Sequence, residues 1–175
     1  MTAETDPISF RGETLCLRPL AAGDRPLIED LVARMELDDL RMRFFGGSGT
    51  IAPDVLNQLL RIDPQRRIAL VASRRASDGT EEILAVARAH ELIPGSAELA
   101  LLVRSDLKGM GLGSVLLERL IARCRRRGYS VLVAEVLQQN ARMLRLAGKY
   151  GFRRRTETAQ FDTTQLVLEL DSLAA

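Results

Sequence analysis

Apolar and polar side chains follow regular patterns along most of this chain. Alternation over residues 14–18 predicts a strand. Three apolar runs predict further strands over residues 67–72, 83–88 and 98–103. The turn residues at 77–80 separate the first two of these runs, which is typical of a hairpin. Apolar residues at helical spacing predict short helices over residues 24–35, 38–45 and 54–62.

The second half of the chain has longer elements. A broad apolar stripe over residues 111–127 predicts a helix that ends at Gly128. The apolar run over residues 131–136 predicts a buried strand. A helix and two final strands are predicted over residues 140–150, 152–156 and 165–170. This order of strands and helices predicts an α/β fold whose sheet has strands of mixed direction.

Length and composition limit the class of protein. The chain has 175 residues, which favours a single domain, and we expect residues 1–12 to be a poorly ordered N-terminal extension. No apolar run reaches the roughly 18 residues of a membrane helix, and residues 1–7 do not resemble a signal peptide. The two cysteines and one histidine lack the paired spacing of a zinc site. We therefore expect a cytoplasmic protein with no metal and no membrane partner.

The net charge of +2 hides a segregation of charge along the chain. Residues 104–155 contain 13 Lys and Arg against 3 Asp and Glu. A segment this basic suggests an anionic partner, either nucleic acid or a phosphorylated small molecule, although a solvated helix face is an equally open interpretation. Its aromatic residues are few, namely Tyr129, Tyr150 and Phe152, so we expect no nucleic-acid partner.

The sharpest local motif is the glycine loop from Lys108 to Gly113, which reads Lys-Gly-Met-Gly-Leu-Gly. It follows the strand predicted over residues 98–103 and opens the helix predicted over residues 111–127. Alternate glycines let the backbone approach a ligand, and free N–H groups at a helix N-terminus point at an anion. The loop lacks the Lys of a Walker A motif and the spacing of a dinucleotide fingerprint. It predicts a phosphate-binding turn or, alternatively, an ordinary strand-to-helix turn.

Two motifs resemble those of the GNAT N-acetyltransferase superfamily. The segment 103–113 resembles its acetyl-CoA motif, with Lys108 where Gln or Arg is usual, and Asn140 followed by Gly151 and Phe152 resembles its downstream motif. The resemblance covers nearly the whole chain and implies the GNAT fold, a mixed, mostly antiparallel sheet of about seven strands flanked by helices. It implies acetyl-CoA as cosubstrate and as the anion of the basic segment. The cofactor-binding residues that it implies are Leu102, Val103, Lys108, Gly109, Met110, Gly111, Leu112, Gly113, Ser114, Asn140 and Met143.

A narrower resemblance is to the catalytic domain of bacterial Pat-type protein-lysine acetyltransferases. It is carried by residues 17–20, 41–46, 97–100 and 135–143, whereas an arginine replaces an expected carboxylate within residues 62–67. This resemblance implies that Glu98 is the catalytic base, acting directly or through water, with Glu135 as the second candidate. A solvated Glu98 beside a turn and an ion pair between Glu135 and an arginine remain the open alternatives.

The sequence thus predicts an acetyl-CoA-dependent N-acetyltransferase that moves an acetyl group to a primary amine by direct attack with a Glu base. The amine belongs to a small molecule or a protein lysine, and a homodimer is left open. The alternative is a catalytically weak module that binds CoA as a sensor or scaffold. This alternative is open because Ala147 stands where many GNAT enzymes carry a Tyr that serves as the general acid. We expect Tyr150 to pack rather than act as an acid, and His90 to be a hydrogen-bonded structural residue.

Overall fold

The computed structural model describes residues 5–45, 53–155 and 162–170. Its strands are β1 (Asp6–Phe10), β2 (Glu13–Pro19), β3 (Arg67–Arg75), β4 (Glu81–Ile93), β5 (Ser96–Val103), β6 (Val131–Leu137), β7 (Arg153–Arg155) and β8 (Thr163–Glu169). Its α-helices are α1 (Arg25–Ala33), α2 (Leu37–Phe44), α3 (Pro53–Leu60), α4 (Leu112–Arg126) and α5 (Ala141–Lys149). The glycine-rich loop expected at residues 46–49 lies outside the described residues.

The strands form one sheet in the order β1-β2-β3-β4-β5-β6-β8-β7. Neighbouring strands are antiparallel, except that β5 and β6 are parallel. The prediction of a mixed, mostly antiparallel sheet flanked by helices is therefore confirmed. The described part of the chain contains eight strands, whereas about seven were expected. The additional strand is β1.

The start of the chain corrects part of the expectation of a poorly ordered extension over residues 1–12, because residues 5–12 are described whereas residues 1–4 lie outside the described residues. Residues Asp6–Phe10 form β1, which pairs antiparallel with β2 at the edge of the sheet. Arg11 and Gly12 form the connecting turn with positive φ angles of 51° and 84°, as a tight two-residue hairpin requires. Ile8 and Phe10 are buried in the core, so their alternation with polar neighbours fixes this strand.

Helices cover both faces of the sheet. One apolar cluster joins α4 and α5 to the strands, and a second joins α1, α2 and α3 to them. Within β4, Val86 belongs to the second cluster and Ala87 to the first. Successive side chains of a strand point to opposite faces, so the two helix layers lie on opposite sides of the sheet. None of the helices within the described ranges is long and apolar enough to cross a membrane.

The parallel pair β5 and β6 determines where a ligand can enter the sheet. Their register contains three residue pairs, of which the last is Glu98 with Val133. Beyond that pair, β5 continues to Val103 and β6 to Leu137 without pairing with each other. The two strands therefore diverge, and backbone N–H and C=O groups of β5 that face the gap are available to a ligand.

The packing of α1 against the sheet can be tested by comparing a buried isoleucine with an exposed one. Ile28 of α1 is fully buried, whereas Ile93 at the end of β4 is 65% exposed. We expect Ile28→Val to lower the free energy of unfolding by about 0.5–1.5 kcal/mol, because it removes a methyl group from a closed core. Ile93→Val should change it by less than about 0.5 kcal/mol. Urea unfolding measures both variants, and equal losses would contradict this arrangement of the core.

Candidate active site

A cleft of about 310 Å³ occupies the gap between β5 and β6. Residues 99–103 of β5 and 134–136 of β6 form its walls. The glycine loop and the first turn of α5 close one end, while Asp39, Met42 and Arg43 of α2 cover it. The cleft is thus built from the diverging strands, with a helix N-terminus at one end and α2 as its cover.

Most of the residues predicted to bind the cofactor line this cleft. The lining residues among them are Leu102, Val103, Lys108, Gly109, Gly111, Gly113, Asn140 and Met143. The other three do not line it. Leu112 is fully buried in the core, Ser114 hydrogen-bonds to Tyr150, and Met110 is 41% exposed. Helical geometry turns the side chains of Leu112 and Ser114 away from the cleft, so at these two positions the backbone is the part available to a cofactor.

The glycine loop brings the start of α4 against the cleft. Gly111 is the N-cap residue of α4 and has a φ of 98°, in the left-handed region that favours glycine. At Gly113, an added Cβ would lie 3.3 Å from Leu101 Cδ2, so glycine lets α4 approach β5 closely. Free N–H groups and the positive end of the helix dipole therefore lie at the cleft, where they suit an anionic group.

The chain before the loop is fixed by an ion pair between the buried Arg104 and the exposed Asp106. Arg104 is 6% exposed, and its guanidinium binds both carboxylate oxygens of Asp106 at 2.7 and 2.9 Å. The same guanidinium lies 3.5 Å from Glu82 of β4. Such a two-point contact between Arg and a carboxylate fixes orientation as well as distance. It holds the short 3₁₀ turn Ser105–Leu107 that leads into the glycine loop.

Lys108 of the loop forms an ion pair with Asp39 of α2. Burial favours a higher pKa for Asp39, but hydrogen bonds from Lys108 and Ser105 outweigh it and hold the pKa of Asp39 below its usual value. The ion pair connects the glycine loop to the helix that covers the cleft. Part of the positive charge expected at Lys108 is therefore compensated within the protein.

Asn140 serves as the helix cap of α5 beside the cleft. Its Oδ1 accepts a hydrogen bond of 3.1 Å from the backbone N–H of Met143, which caps α5. Both Asn140 and Met143 also line the cleft. The capping role and a position beside a ligand are therefore compatible in this residue.

The two carboxylates predicted as bases both line the cleft, in different settings. Glu98 lies at the last pair between β5 and β6 and is exposed to solvent. Glu135 of β6 is half-buried, and its Oε1 accepts a hydrogen bond of 2.9 Å from Thr163 Oγ1. Glu98 thus keeps an open approach from solvent, whereas Glu135 is held by a hydroxyl of β8 rather than by the ion pair considered from the sequence.

A second cavity, of about 400 Å³, adjoins the first and shares Glu98, Arg43 and Ala100 with it. Its remaining lining residues are Phe44, Leu59, Arg61, Arg67, Arg88 and His90. Arg88 and His90 follow Val86 in steps of two along β4 and so share its face of the sheet, under α1 to α3. Glu98 is therefore located between two cavities, one in the sheet gap and one on the sheet face.

Several arginines of this second cavity were not identified from the sequence. Arg88 lies within an apolar run of β4, and a charged residue in such a run was the available signal. The position of His90 also differs from the expectation of a hydrogen-bonded structural residue. Its Nδ1 is buried and has no hydrogen-bond partner among the described residues.

Other predicted candidates lie outside both cavities. The hydroxyl of Tyr150 donates to the backbone carbonyl of Ser114 at 2.9 Å and lies 2.8 Å from Ser114 Oγ, so it faces α4. Of the 13 basic residues over 104–155, Lys108 and Arg142 line the first cavity. Arg123, near the far end of α4, pairs instead with Asp6. No cluster of three or more His, Cys, Asp or Glu side chains that could hold a metal ion occurs in the part of the chain that the structure describes.

Comparison with known proteins agrees with this architecture. The structure has the GNAT fold: the GNAT domain of S. lividans PAT matches it with a TM-score of 0.83 and 24% identity, over 95% of this chain and 97% of that domain. The sequence model of the Acetyltransferase (GNAT) family matches residues 34–152, and the chain belongs to this family of acetyltransferases.

Two further relatives have similar lengths. An acetyltransferase from Pseudomonas aeruginosa is 28% identical over 159 residues, which cover 91% of this chain and 84% of that protein. The structure of yncA from Salmonella typhimurium, solved with its cofactor acetyl-CoA, matches with a TM-score of 0.66 and 23% identity, over 93% of this chain and 98% of that one. These matches extend the similarity over almost the entire chain.

Proposed function

We propose that this chain transfers the acetyl group of acetyl-CoA to a primary amine, with Glu98 as the general base. The observation that carries the proposal is the position of Glu98. It lies where β5 and β6 diverge and lines both cavities. A carboxylate between a donor cleft and an acceptor cavity is within reach of an amine that approaches a thioester.

The first cavity suits acetyl-CoA. The diverging strands leave backbone groups of residues 99–103 available, and an amide-bearing arm can pair with them as an added strand would. The N–H groups at the glycine loop and the start of α4 suit a pyrophosphate. Apolar residues of both strands line the rest of the cleft, which favours a ligand with an extended, largely uncharged arm.

The proposed reaction needs one proton acceptor. Glu98 takes a proton from the acceptor ammonium, directly or through a water molecule, which leaves a neutral amine. The amine nitrogen forms a bond to the acetyl carbonyl carbon, and the bond from that carbon to sulfur breaks. The attacking nitrogen loses its second proton, which the CoA thiolate takes up, so that the products are the N-acetylated amine and the CoA thiol. Because a thiolate is a stable leaving group, the reaction does not require Tyr150, whose hydroxyl faces α4.

Thermal unfolding with acetyl-CoA tests the donor half of this proposal. At a concentration of 100 times Kd, a ligand that binds the folded state stabilises it by about 2.7 kcal/mol. For a chain of this length that corresponds to a rise in Tm of about 5–10 °C. We expect CoA to give a comparable rise and ATP, at the same concentration, a much smaller one. No rise with acetyl-CoA at a saturating concentration would contradict the proposed function.

A further inference from the structure

The second cavity has an unusual balance of charge. Among the described residues, four arginines line it, namely Arg43, Arg61, Arg67 and Arg88, and Glu98 is the one carboxylate. Concave sites lined by charge of one sign raise the local concentration of ligands of the opposite sign. This cavity is therefore suited to an anionic group, even though it adjoins the position proposed for an amine.

The burial of Arg88 strengthens the preference of the second cavity for an anionic group. Arg88 is 9% exposed, and its Nη2 donates to the backbone carbonyl of Arg61 at 2.9 Å. Burial, followed by the nearby charges of Arg67 and Arg43, lowers the pKa of Arg88 to about 10. Burial disfavours the charged form of Arg88, and the neighbouring guanidinium groups of Arg67 and Arg43 act in the same direction.

Two buried polar atoms at the cavity also lack partners. Arg43 Nε and His90 Nδ1 are both buried without a hydrogen-bond partner among the described residues. Burial also lowers the pKa of Arg43, with the charge of Glu98 acting in the opposite direction. Because a buried donor without a partner costs free energy, Arg43 Nε favours a ligand that supplies an acceptor oxygen.

We propose that the acceptor is a small molecule that carries both a primary amine and a carboxylate, as a free amino acid does. The carboxylate is bound by the guanidinium groups of the second cavity, and the amine is directed to Glu98 at its junction with the first. This inference rests on the proposed function, because it assigns the acceptor of the same reaction.

The chemistry of the cavity favours such a molecule over a protein lysine. A guanidinium binds a carboxylate through two parallel hydrogen bonds, whereas a lysine side chain brings only a further positive charge to four others. A volume of about 400 Å³ also lies within the range of small-molecule sites. The carboxylate compensates the arginines, and Glu98 then remains available to the amine.

Matched acceptors test the inference. Release of the CoA thiol from acetyl-CoA is measured with L-leucine, L-phenylalanine and L-glutamate, each beside its α-carboxamide, and with a lysine-containing peptide. The amide keeps the amine and the size but removes the negative charge. We expect kcat/KM for each amino acid to exceed that for its amide by about tenfold or more, the effect of a charged hydrogen-bonded contact.

Variants locate the effect in the cavity. We expect Arg88→Gln to raise KM for the amino acids about tenfold and to leave KM for the amides within about twofold. Arg67→Gln, at a half-buried side chain, gives a second measurement if the buried Arg88→Gln variant does not fold. Arg125→Gln, at an exposed position near the end of α4, removes the same charge elsewhere and should leave both constants unchanged.

The possible outcomes separate the two proposals. Equal rates with amino acids and amides, or faster acetylation of the lysine peptide, overturn the carboxylate site and leave the proposed function standing. If no amine releases CoA, the proposed function fails. The carboxylate site is then tested by calorimetry, which measures the Kd of each amino acid and of its amide in the presence of CoA. Tighter binding of an amino acid than of its amide, lost in Arg67→Gln, supports the carboxylate site, and equal binding overturns it.

Discussion

Glu98→Gln is expected to lower kcat for acetyl transfer about 100- to 10,000-fold, because a positioned general base contributes a factor of that size. Glutamine keeps the shape of the side chain but cannot accept the proton of the ammonium. Glu98 is exposed at the mouth of the sheet gap, so its replacement should leave the fold intact. The Kd of acetyl-CoA, measured by calorimetry, should therefore stay within about twofold of that of the native protein.

Glu135→Gln is the matched control for this prediction. Glu135 lines the same cleft, but its carboxylate is bound by the Thr163 hydroxyl. We expect a decrease in kcat of less than about tenfold, since the amide can still accept that hydrogen bond. A large loss in Glu135→Gln with unchanged turnover in Glu98→Gln would transfer the role of base to Glu135. A native protein that binds acetyl-CoA but acetylates no amine would instead favour the sensor or scaffold alternative.

The sequence was sufficient to predict the elements around the donor cleft because their signals are local. The glycines from Gly109 to Gly113 have the spacing that permits positive φ angles at Gly109 and Gly111, and the stripe of α4 follows directly. The register of β5 and β6 has no such local signal. The residue at which this pairing stops, Glu98, depends on contacts between segments that are distant in sequence. The width of the cleft could therefore be determined only from the structure.

The second cavity depends on contacts between residues distant in sequence. Pairing of β3 with β4 places Arg67 opposite His90, and pairing of β4 with β5 places Arg88 opposite Ala100. Each arginine taken alone resembles an ordinary strand or loop residue. Conversely, the basic segment over 104–155 was conspicuous in the sequence, but most of its side chains lie outside both cavities. The number of charged residues in a stretch of sequence therefore did not predict which charged side chains line the cavities.

Gly111→Ala is expected to raise the Kd of acetyl-CoA about 10- to 100-fold. Gly111 has a φ of 98°, and an added Cβ would meet no atom within 4 Å, so the substitution introduces backbone strain without a steric clash. That strain is of the order of 1–2 kcal/mol, and the loop can relieve it by moving the N–H groups at the start of α4. Loss of hydrogen bonds from those groups to a charged oxygen weakens binding by the expected factor.

Gly79→Ala separates loss of affinity from loss of stability. Gly79, in the turn between β3 and β4, has a φ of 85° and similarly open surroundings. Both variants should therefore lose a similar free energy of unfolding, about 1–2 kcal/mol in urea. Only Gly111→Ala should lose affinity for acetyl-CoA, because only its loop adjoins the cleft. If both variants bind acetyl-CoA as the native protein does, the glycine loop does not position the donor, and α4 makes its contribution through packing alone.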